Sequence, residues 1–502
     1  MSKTISFISF GACILLIGLG WNRGFDISDE GLYALLANPH QENQSGIINY
    51  DLFFKLLFQW TGVSFSMVEL RFLRLLSYLL GGIAISFFLK NNTKHPFDSL
   101  HAFILASLGL FSGYAFLPPS FSYNSSTVVL ASCWLAIAFS PLSSGKKSIF
   151  LGFILALIFY FKFPVASLLF LATLFLLIFS HQFTVRSLVY LILPFLVMEM
   201  SFKLVFDDFA IKRLLEAVPQ HTTRPGYGFL SVMKSPILGL TFALIAMVPG
   251  LLYLKVKEGS QRKKLLLWMF GLGIISWLIF FTHVTVGEWE HVVMVLTAAM
   301  IPFSWRKLPK FDSFAIPQLT LFLMPFILHF GSNVYWMRIG VHYLIFWALL
   351  ILVQQSRNTR YYLNTFPVLV VCLVFNGIWW HPFGQDSPLW KPKVPLTISE
   401  GNTLFLDSEV IRVTTEIRPF VQDKKLQQIF TAYRIPGLAY LAGITIPHSP
   451  VVWDKKQLDQ SQDPVPPVMI FQALDSLPEN WNFNHSQNLG TIQGNPILLL
   501  WN

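Results

Sequence analysis

Residues 152–180 read GFILALIFYFKFPVASLLFLATLFLLIFS and carry one charged side chain, Lys162. A stretch that is apolar on every face belongs inside a very large core or inside a lipid bilayer. The rest of the chain decides between them. Of its 502 residues, 54% are hydrophobic and only 12% are charged, against about 25% charged in soluble domains. Apolar runs recur along most of the length. The fold class is therefore a polytopic α-helical membrane protein. In such a chain the formal net charge of +10 reads as loop charge, not as nucleic-acid binding. Cys13, Cys133 and Cys372 all sit in apolar runs, without metal-ligand spacing or a disulfide framework.

A span needs about 20 apolar residues, fewer where the bilayer thins. Runs of this kind fall at 6–20, 68–89, 100–117, 122–140, 149–161, 165–180, 188–206, 235–254, 265–283, 291–304, 315–330, 334–353 and 362–380, giving roughly 13 transmembrane helices. The first is read as a retained signal anchor with Lys3 on the cytoplasmic side. Alternate loops then gather the cations: Lys90 and Lys94, Lys146 and Lys147, Arg186, Lys255 to Lys264, Arg306 to Lys310, and Arg357 with Arg360. The intervening short loops are poor in Lys and Arg, a clear positive-inside pattern. That pattern requires residues 152–180 to form a hairpin broken at Lys162–Phe163–Pro164, because one long helix would invert every later loop. Proline removes a donor and ends a helix, so the break has a chemical cause.

Two segments of real length then lie on the other side. In the first loop, 21–67, EGLYALLANP and NYDLFFKLLFQW are too short to span and are expected to lie as helices in the membrane interface. The tail, 381–502, is expected to form a small extracytoplasmic α/β domain beside the 1–380 membrane domain. Its strands are expected at TLFLDS, PVVWD, VMIFQAL and NPILLLW, and its helices at DSEVIRVTTEIRPFVQ and DKKLQQIFTAYR.

Directly after the first span comes FDISDEGLYALLANP, with Asp26, Asp29 and Glu30 close together. Such a cluster suits a general base, a cation site or a helix cap. Taken with the arginine-led span ELRFLRLLSYLLGG and the hairpin FILALIFYFKFPVASLLF, it resembles the GT-C fold glycosyltransferases. Within them it is most similar to the protein O-mannosyltransferase and aminoarabinose transferase branch. The resemblance covers the first two hundred residues or so, and beyond them the architecture alone.

It implies a glycosyltransferase that takes a sugar from a polyprenyl-phosphate-linked donor at the outer face of the membrane. Asp29 is then the base for the acceptor nucleophile, and Glu30 tunes Asp29 or helps position the acceptor. Asp26 is a looser match on the substrate side. Positive charge is needed at the leaving phosphate. A lysine inside a hydrophobic hairpin costs about 2.5–3.5 kcal/mol on insertion scales and needs a partner, so Lys162 is assigned that role. Asp29 and Lys162 are expected to open into one shared chamber.

Other candidates come from the same side. His221 and Arg224 lie in LLEAVPQHTTRPGYGF, and an arginine grips phosphate well. Arg71 is placed to meet lipid phosphate or the first-loop acids. Tyr123 with Asn124, and Asn333, occupy short turns suited to hydrogen bonding a sugar, although turn-forming asparagine is the plainer reading. Glu288, His283 and His291 are weak metal candidates, since the histidines lack the helical zinc spacing. No particular cofactor is assigned, and a divalent cation is left open. Partners are the lipid-linked donor, a protein, glycolipid or polysaccharide acceptor, and membrane lipids, with no nucleic acid. The compact loops fit a bacterial plasma (inner) membrane. Two other classes compete: a transporter or flippase, which would favour broken helices in matching halves, and a non-catalytic scaffold whose tail binds an envelope partner.

Overall fold

The computed structural model describes residues 2–44, 46–93, 97–222, 226–256, 260–305, 315–354, 359–391, 394–399, 402–460 and 464–502. α1 (Ser2–Leu19) leads into a loop that holds α2 (Asp29–Ala37) and α3 (Asp51–Thr61). Then follow α4 (Met67–Asn92), α5 (Ser99–Phe111), α6 (Tyr123–Ala138), α7 (Ser144–Phe179), α8 (Val185–Phe206) and α9 (Ala210–Thr222). The membrane part continues with α10 (Phe229–Lys255), α11 (Gln261–Val286), α12 (Glu290–Ser304), α13 (Ala315–His329), α14 (Trp336–Ile339), α15 (Leu344–Gln354) and α16 (Thr359–Phe375). Among the described residues, 7 helical stretches are long and apolar enough to cross a membrane, and α1, α5, α6, α12 and α13 are shorter apolar helices. Each expected span coincides with one of these, α7 supplying two. The chain is a polytopic helical membrane protein. Its central stretch, Trp336–Gln354, is buried on nearly every side. By contrast α8 and α11 turn Leu193, Leu196, Leu265, Leu266 and Phe270 outward, as a lipid-facing surface would.

α7 is two helices meeting at Lys162, whose backbone (φ −154°, ψ 81°) leaves the helix. The arms run in opposite directions. Ser144 Oγ donates to the Gln182 carbonyl at 3.1 Å, placing the start of α7 beside its end, while Tyr160 reaches Glu199 far along α8. Pro164 has no N–H to offer the Tyr160 carbonyl. That carbonyl instead accepts the backbone N–H of Asn49 from the first loop at 2.8 Å. The hairpin apex is thereby tied to the loop that carries α2. The first-loop end of the bundle collects the ends of α1, α11 and α13, while Lys3, Lys90, Lys147, Arg186, Lys255 and Arg262 lie at the opposite helix ends.

The tail holds β1 (Val394–Ser399) and β2 (Asn402–Leu406) as an antiparallel pair, then α17 (Ser408–Asp423). β3 (Phe430–Ala432), α18 (Pro436–Ala442), α19 (Lys455–Gln460), β4 (Val468–Gln472), β5 (His485–Ile492) and β6 (Asn495–Trp501) follow. The four-stranded sheet has the order β3-β4-β6-β5, with β3 parallel to β4 and the other pairs antiparallel. Two expectations fail here. DKKLQQIFTAYR is not a helix: its middle is the buried strand β3, because the Ile-Phe-Thr-Ala run is satisfied by parallel pairing with β4. PVVWD forms no strand and crosses as irregular chain.

Of the two first-loop helices expected in the membrane interface, α3 leaves Leu57 and Trp60 exposed, whereas α2 packs inside the protein. α2 is buried from Glu30 to Ala37, packed against α18. Gly437 N donates to the Ile27 carbonyl at 2.8 Å, and Gly31 lies directly against the Gly437 backbone. A side chain at either glycine would collide with main chain; a Cβ on Gly437 would stand 2.7 Å from Ile27 Cα. β2 also pairs with the chain leaving α1, through Gly24 N to Phe405 O and Phe405 N to Asn22 O, both 2.8 Å.

Gly31→Val should therefore loosen the tail from the first loop, at an overpacking cost of about 1–3 kcal/mol. Limited proteolysis of the purified full-length protein is expected to cleave within 381–502 well before wild type does, at unchanged helical content. Equal protease resistance would show that the contact does not hold the tail.

Candidate functional site

The exit from α1 sets the site. Arg71, on α4, is 1% exposed and uses all five of its N–H groups. Nε and Nη2 grip Glu30 Oε1 and Oε2 at 3.0 and 2.7 Å. The remaining donors hold the carbonyls of Trp21, Arg23 and Gly24 at 2.8–2.9 Å. Glu30, fully buried, also accepts the Asp26 backbone N–H at 3.1 Å. Neither Arg71 nor Glu30 lines the cavity that Asp26 and Asp29 line. The pair fixes the loop, so Arg71 has no N–H left for a lipid phosphate and Glu30 holds backbone instead of an acceptor.

Asp26 is 3% exposed, and its carboxylate accepts the backbone N–H groups of Ser28, Asp29 and Glu30 at 3.2, 2.7 and 3.3 Å. It satisfies the otherwise orphaned donors at the start of α2, where negative charge also suits the helix dipole. This is the capping reading, and it applies to Asp26 rather than to Asp29.

Asp29 is left half-buried, with no hydrogen bond to its carboxylate among the described residues. It lines a cavity of about 700 Å³, within the size range of small-molecule sites. Burial pushes the Asp29 carboxyl up to about 6; the nearby Arg434 guanidinium pulls it down, and the Glu30 charge adds to the rise. A carboxylate held near 6 is well matched to proton abstraction around neutral pH.

The cavity walls come from six places. The first loop gives Asp26, Ile27, Ser28 and Asp29, and the chain before α6 with its first turn gives Phe116, Leu117, Tyr123 and Asn124. Glu288 and Glu290 come from the start of α12, and Val334 and Arg338 from around α14. Residues 380–388 close one side, where Gly384 (φ +67°) presses against Asp26 and its carbonyl takes the Gln493 Nε2 donor at 2.7 Å. The tail supplies Arg434, Gln472, Leu474, Gln493 and Asn495.

The expected residues divide accordingly. Tyr123 and Asn124 reach the cavity with Asp29. Lys162 does not: it is 6% exposed and sits behind them, donating to the Leu328 carbonyl at 2.8 Å and approaching Asn124 Oδ1 at 3.5 Å and the Tyr123 ring at 6.0 Å. Leu328 lies at the end of α13, so the ammonium caps a helix C-terminus whose last carbonyls have no intrahelical donor. Asp29 and Lys162 therefore do not line one cavity as expected. Asn333 is exposed in its turn and does not line the cavity. His221 belongs to α9 but its side chain, like the whole of Arg224, lies outside the described residues.

The weak metal trio does not assemble. Glu288 is paired with Arg338 at 2.7 Å, and His283 and His291 stack at 5.8 Å with ring nitrogens toward the carbonyls of Glu288 and Ile279. Among the described residues no group of three or more His, Cys, Asp or Glu is arranged to hold a metal ion. Glu290 and Arg434 are cavity residues that sequence reasoning missed. Glu290 had a cue, standing two residues after Glu288; it is buried and accepts a hydrogen bond from Asn376 Nδ2. Arg434, in AYRIPG, had none, because its place depends on the tail folding back over the first loop.

Beside the cavity, an apolar furrow of about 590 Å³ runs between α1 and α16, lined by Leu15, Leu16, Val371, Phe375 and the turn Asn376–Trp380. Trp380 lines both spaces. That last turn is π-helical, a widening frequent at functional sites. Gly377 makes it fit, since a side chain there would strike the backbone of Tyr114 and Ala115.

Two stability outcomes follow. Glu30→Gln leaves the Arg71 charge buried without its counter-ion, and unfolding in detergent should show a loss of about 3–5 kcal/mol. Asp29→Asn should do the reverse. A raised carboxyl binds more protons folded than unfolded, so its ionisation costs stability as pH rises through about 6. The variant should unfold at a higher temperature than wild type at pH 7.5, and the gap should close below about pH 4, near the ordinary aspartate value.

No protein-family profile matches the chain, and no curated protein matches it. Among solved structures it is similar to the crystal structure of ArnT from Cupriavidus metallidurans bound to undecaprenyl phosphate. The identity is 11% and the TM-score 0.40, over 98% of this chain and 97% of that one.

Proposed function

We propose that the protein is a glycosyltransferase that moves a sugar from a polyprenyl-phosphate-linked donor to an acceptor hydroxyl or amine, with Asp29 as the general base. One observation carries this reading: a polar cavity holding a carboxylate with no hydrogen bond among the described residues meets an apolar, lipid-facing furrow at Trp380. A substrate with a polyisoprenoid chain and a sugar-phosphate head has the matching division. The chain would lie along α1 and α16, where the walls are apolar. The head would enter the cavity, where Tyr123, Asn124 and the tail amides offer hydrogen bonds to hydroxyls. The GT-C resemblance of FDISDEGLYALLANP and the hairpin agrees with the same chemistry.

Orientation follows from the charges. The Lys and Arg residues of the loops gather at the bundle end away from the cavity, and cytoplasmic loops retain such residues. We place the N terminus in the cytoplasm and the cavity on the extracytoplasmic side of a bacterial plasma membrane. In the reaction the acceptor N–H or O–H gives its proton to Asp29 as its oxygen or nitrogen bonds to the sugar anomeric carbon. The bond from that carbon to the phosphate oxygen breaks, and polyprenyl phosphate leaves.

The test is release of polyprenyl phosphate, and appearance of glycosylated acceptor, by purified protein in nanodiscs given a polyprenyl-phosphate sugar. Asp29→Asn is expected to lower turnover by about 10²–10⁴-fold, the usual share of a positioned base. Wild-type turnover should fall as pH drops through about 6, because only the ionised carboxylate accepts a proton. Full turnover by Asp29→Asn would refute the assignment.

A further inference from the structure

The tail brings its own charge to the cavity. Arg434 stands between Tyr433 and Ile435, both fully buried, and its backbone N–H is held by the Val452 carbonyl at 3.1 Å. Its φ of +59° lies in the left-handed region that a long side chain rarely adopts. Residues kept there by their surroundings cluster at ligand-binding positions. The side chain is exposed, lines the same cavity as Asp29, and makes no hydrogen bond or ion pair with protein among the described residues. The other cations near the site are engaged: Arg71 by Glu30 and three carbonyls, Lys162 by the end of α13, Arg338 by Glu288.

We propose that Arg434 is the phosphate-binding residue of this cavity, so that the tail domain completes the substrate site rather than covering it. The inference rests on the transferase reading for the identity of the phosphate. A guanidinium on a clamped backbone suits bidentate binding of a phosphate oxyanion. As the bond between sugar and phosphate oxygen breaks, the electron pair stays on that oxygen and the phosphate gains one negative charge. Arg434 meets that charge while Asp29, in the same cavity, takes the proton from the acceptor. Placing the cation on the tail and the base on the first loop lets the reacting carbon lie between them. The close contact of α2 with α18 sets their separation.

The phosphate has two sources, the donor and a phosphate-bearing acceptor, and binding distinguishes them. Full-length protein in nanodiscs is titrated with undecaprenyl phosphate and, separately, with a phosphate-bearing glycolipid, following intrinsic tryptophan fluorescence. Arg434→Gln is expected to weaken undecaprenyl phosphate by at least about tenfold, as for loss of a charge-assisted hydrogen bond. Arg434→Lys should recover part of that loss, since it keeps the charge without the fork. Asp29→Asn should bind no more weakly than wild type. Arg434→Gln should also move the acid limb of the turnover profile to higher pH, because the guanidinium holds the Asp29 carboxyl down. A merely structural arginine would leave that limb in place.

Binding of undecaprenyl phosphate within twofold of wild type by Arg434→Gln, with an unmoved acid limb, overturns the proposal. If wild type binds only the glycolipid and Arg434→Gln abolishes that, Arg434 still binds phosphate and it is the donor reading that fails.

Discussion

Everything at the site depends on one buried ion pair. Burying an arginine and a glutamate is expensive, and such a pair is tolerable only where its remaining donors and acceptors are satisfied. Here they are: Arg71 has five acceptors for five N–H groups, and Glu30 takes a further backbone donor. The carbonyls Arg71 holds belong to residues 21, 23 and 24, while Phe405 of the tail holds the other edge of the same short stretch. The chain leaving α1 is therefore gripped from both sides before α2 begins. Asp26 then caps α2, and the consequence is geometric: of the three neighbouring acids two are committed to backbone and one, Asp29, is turned toward open space.

The same economy of partners explains the tail. The cavity is bounded by a membrane part in which Arg71, Lys162 and Arg338 have protein partners, and by an α/β part in which Arg434 has none among the described residues. Gln472, Gln493, Asn495 and Arg434 sit at strand ends and turns, where side chains can face a cavity without interrupting a ladder. The Gly31–Gly437 approach brings those ends over the first loop. Without it, α18 would stand off by at least a side chain, and Arg434 would move away from Asp29 with it.

Much of the membrane architecture was legible in the sequence because the signal is composition and length. The spans, the break before Pro164 and the loop charges rest on local physics that a single chain displays. Part of the tail was legible for the same reason: TLFLDS, VMIFQAL and NPILLLW became β2, β4 and β6. DKKLQQIFTAYR did not become a helix because its apolar residues answer to a neighbouring strand, a tertiary fact. The site was half legible. Asp29, Tyr123 and Asn124 lie beside the spans, and they do line one cavity. Arg71 was expected to meet either lipid or the first-loop acids, and it met Glu30. Arg434 and the tail amides come from chain more than four hundred residues after Asp29 in sequence order, and no local pattern ties them to it.

Lys162 shows why a cation in an apolar span is weak evidence for chemistry by itself. An ammonium in that position needs an acceptor, and the rule that intramembrane charges mark function assumes that the acceptor is a substrate. A helix that ends inside protein offers another: its last carbonyls lack donors, and the negative end of its dipole faces whatever caps them. α13 ends beside the hairpin apex, and Lys162 meets the Leu328 carbonyl there. The break at Lys162–Pro164 and the end of α13 thus solve each other's problem, one supplying a donor and the other an acceptor. Asn124 and Tyr123, which stand between this ammonium and the cavity, feel its charge without exposing it. The Lys162 side chain is thus held by the fold beneath the cavity, and of the arginines that line the cavity Arg338 is paired with Glu288 while Arg434, on the tail, has no hydrogen bond or ion pair with protein among the described residues.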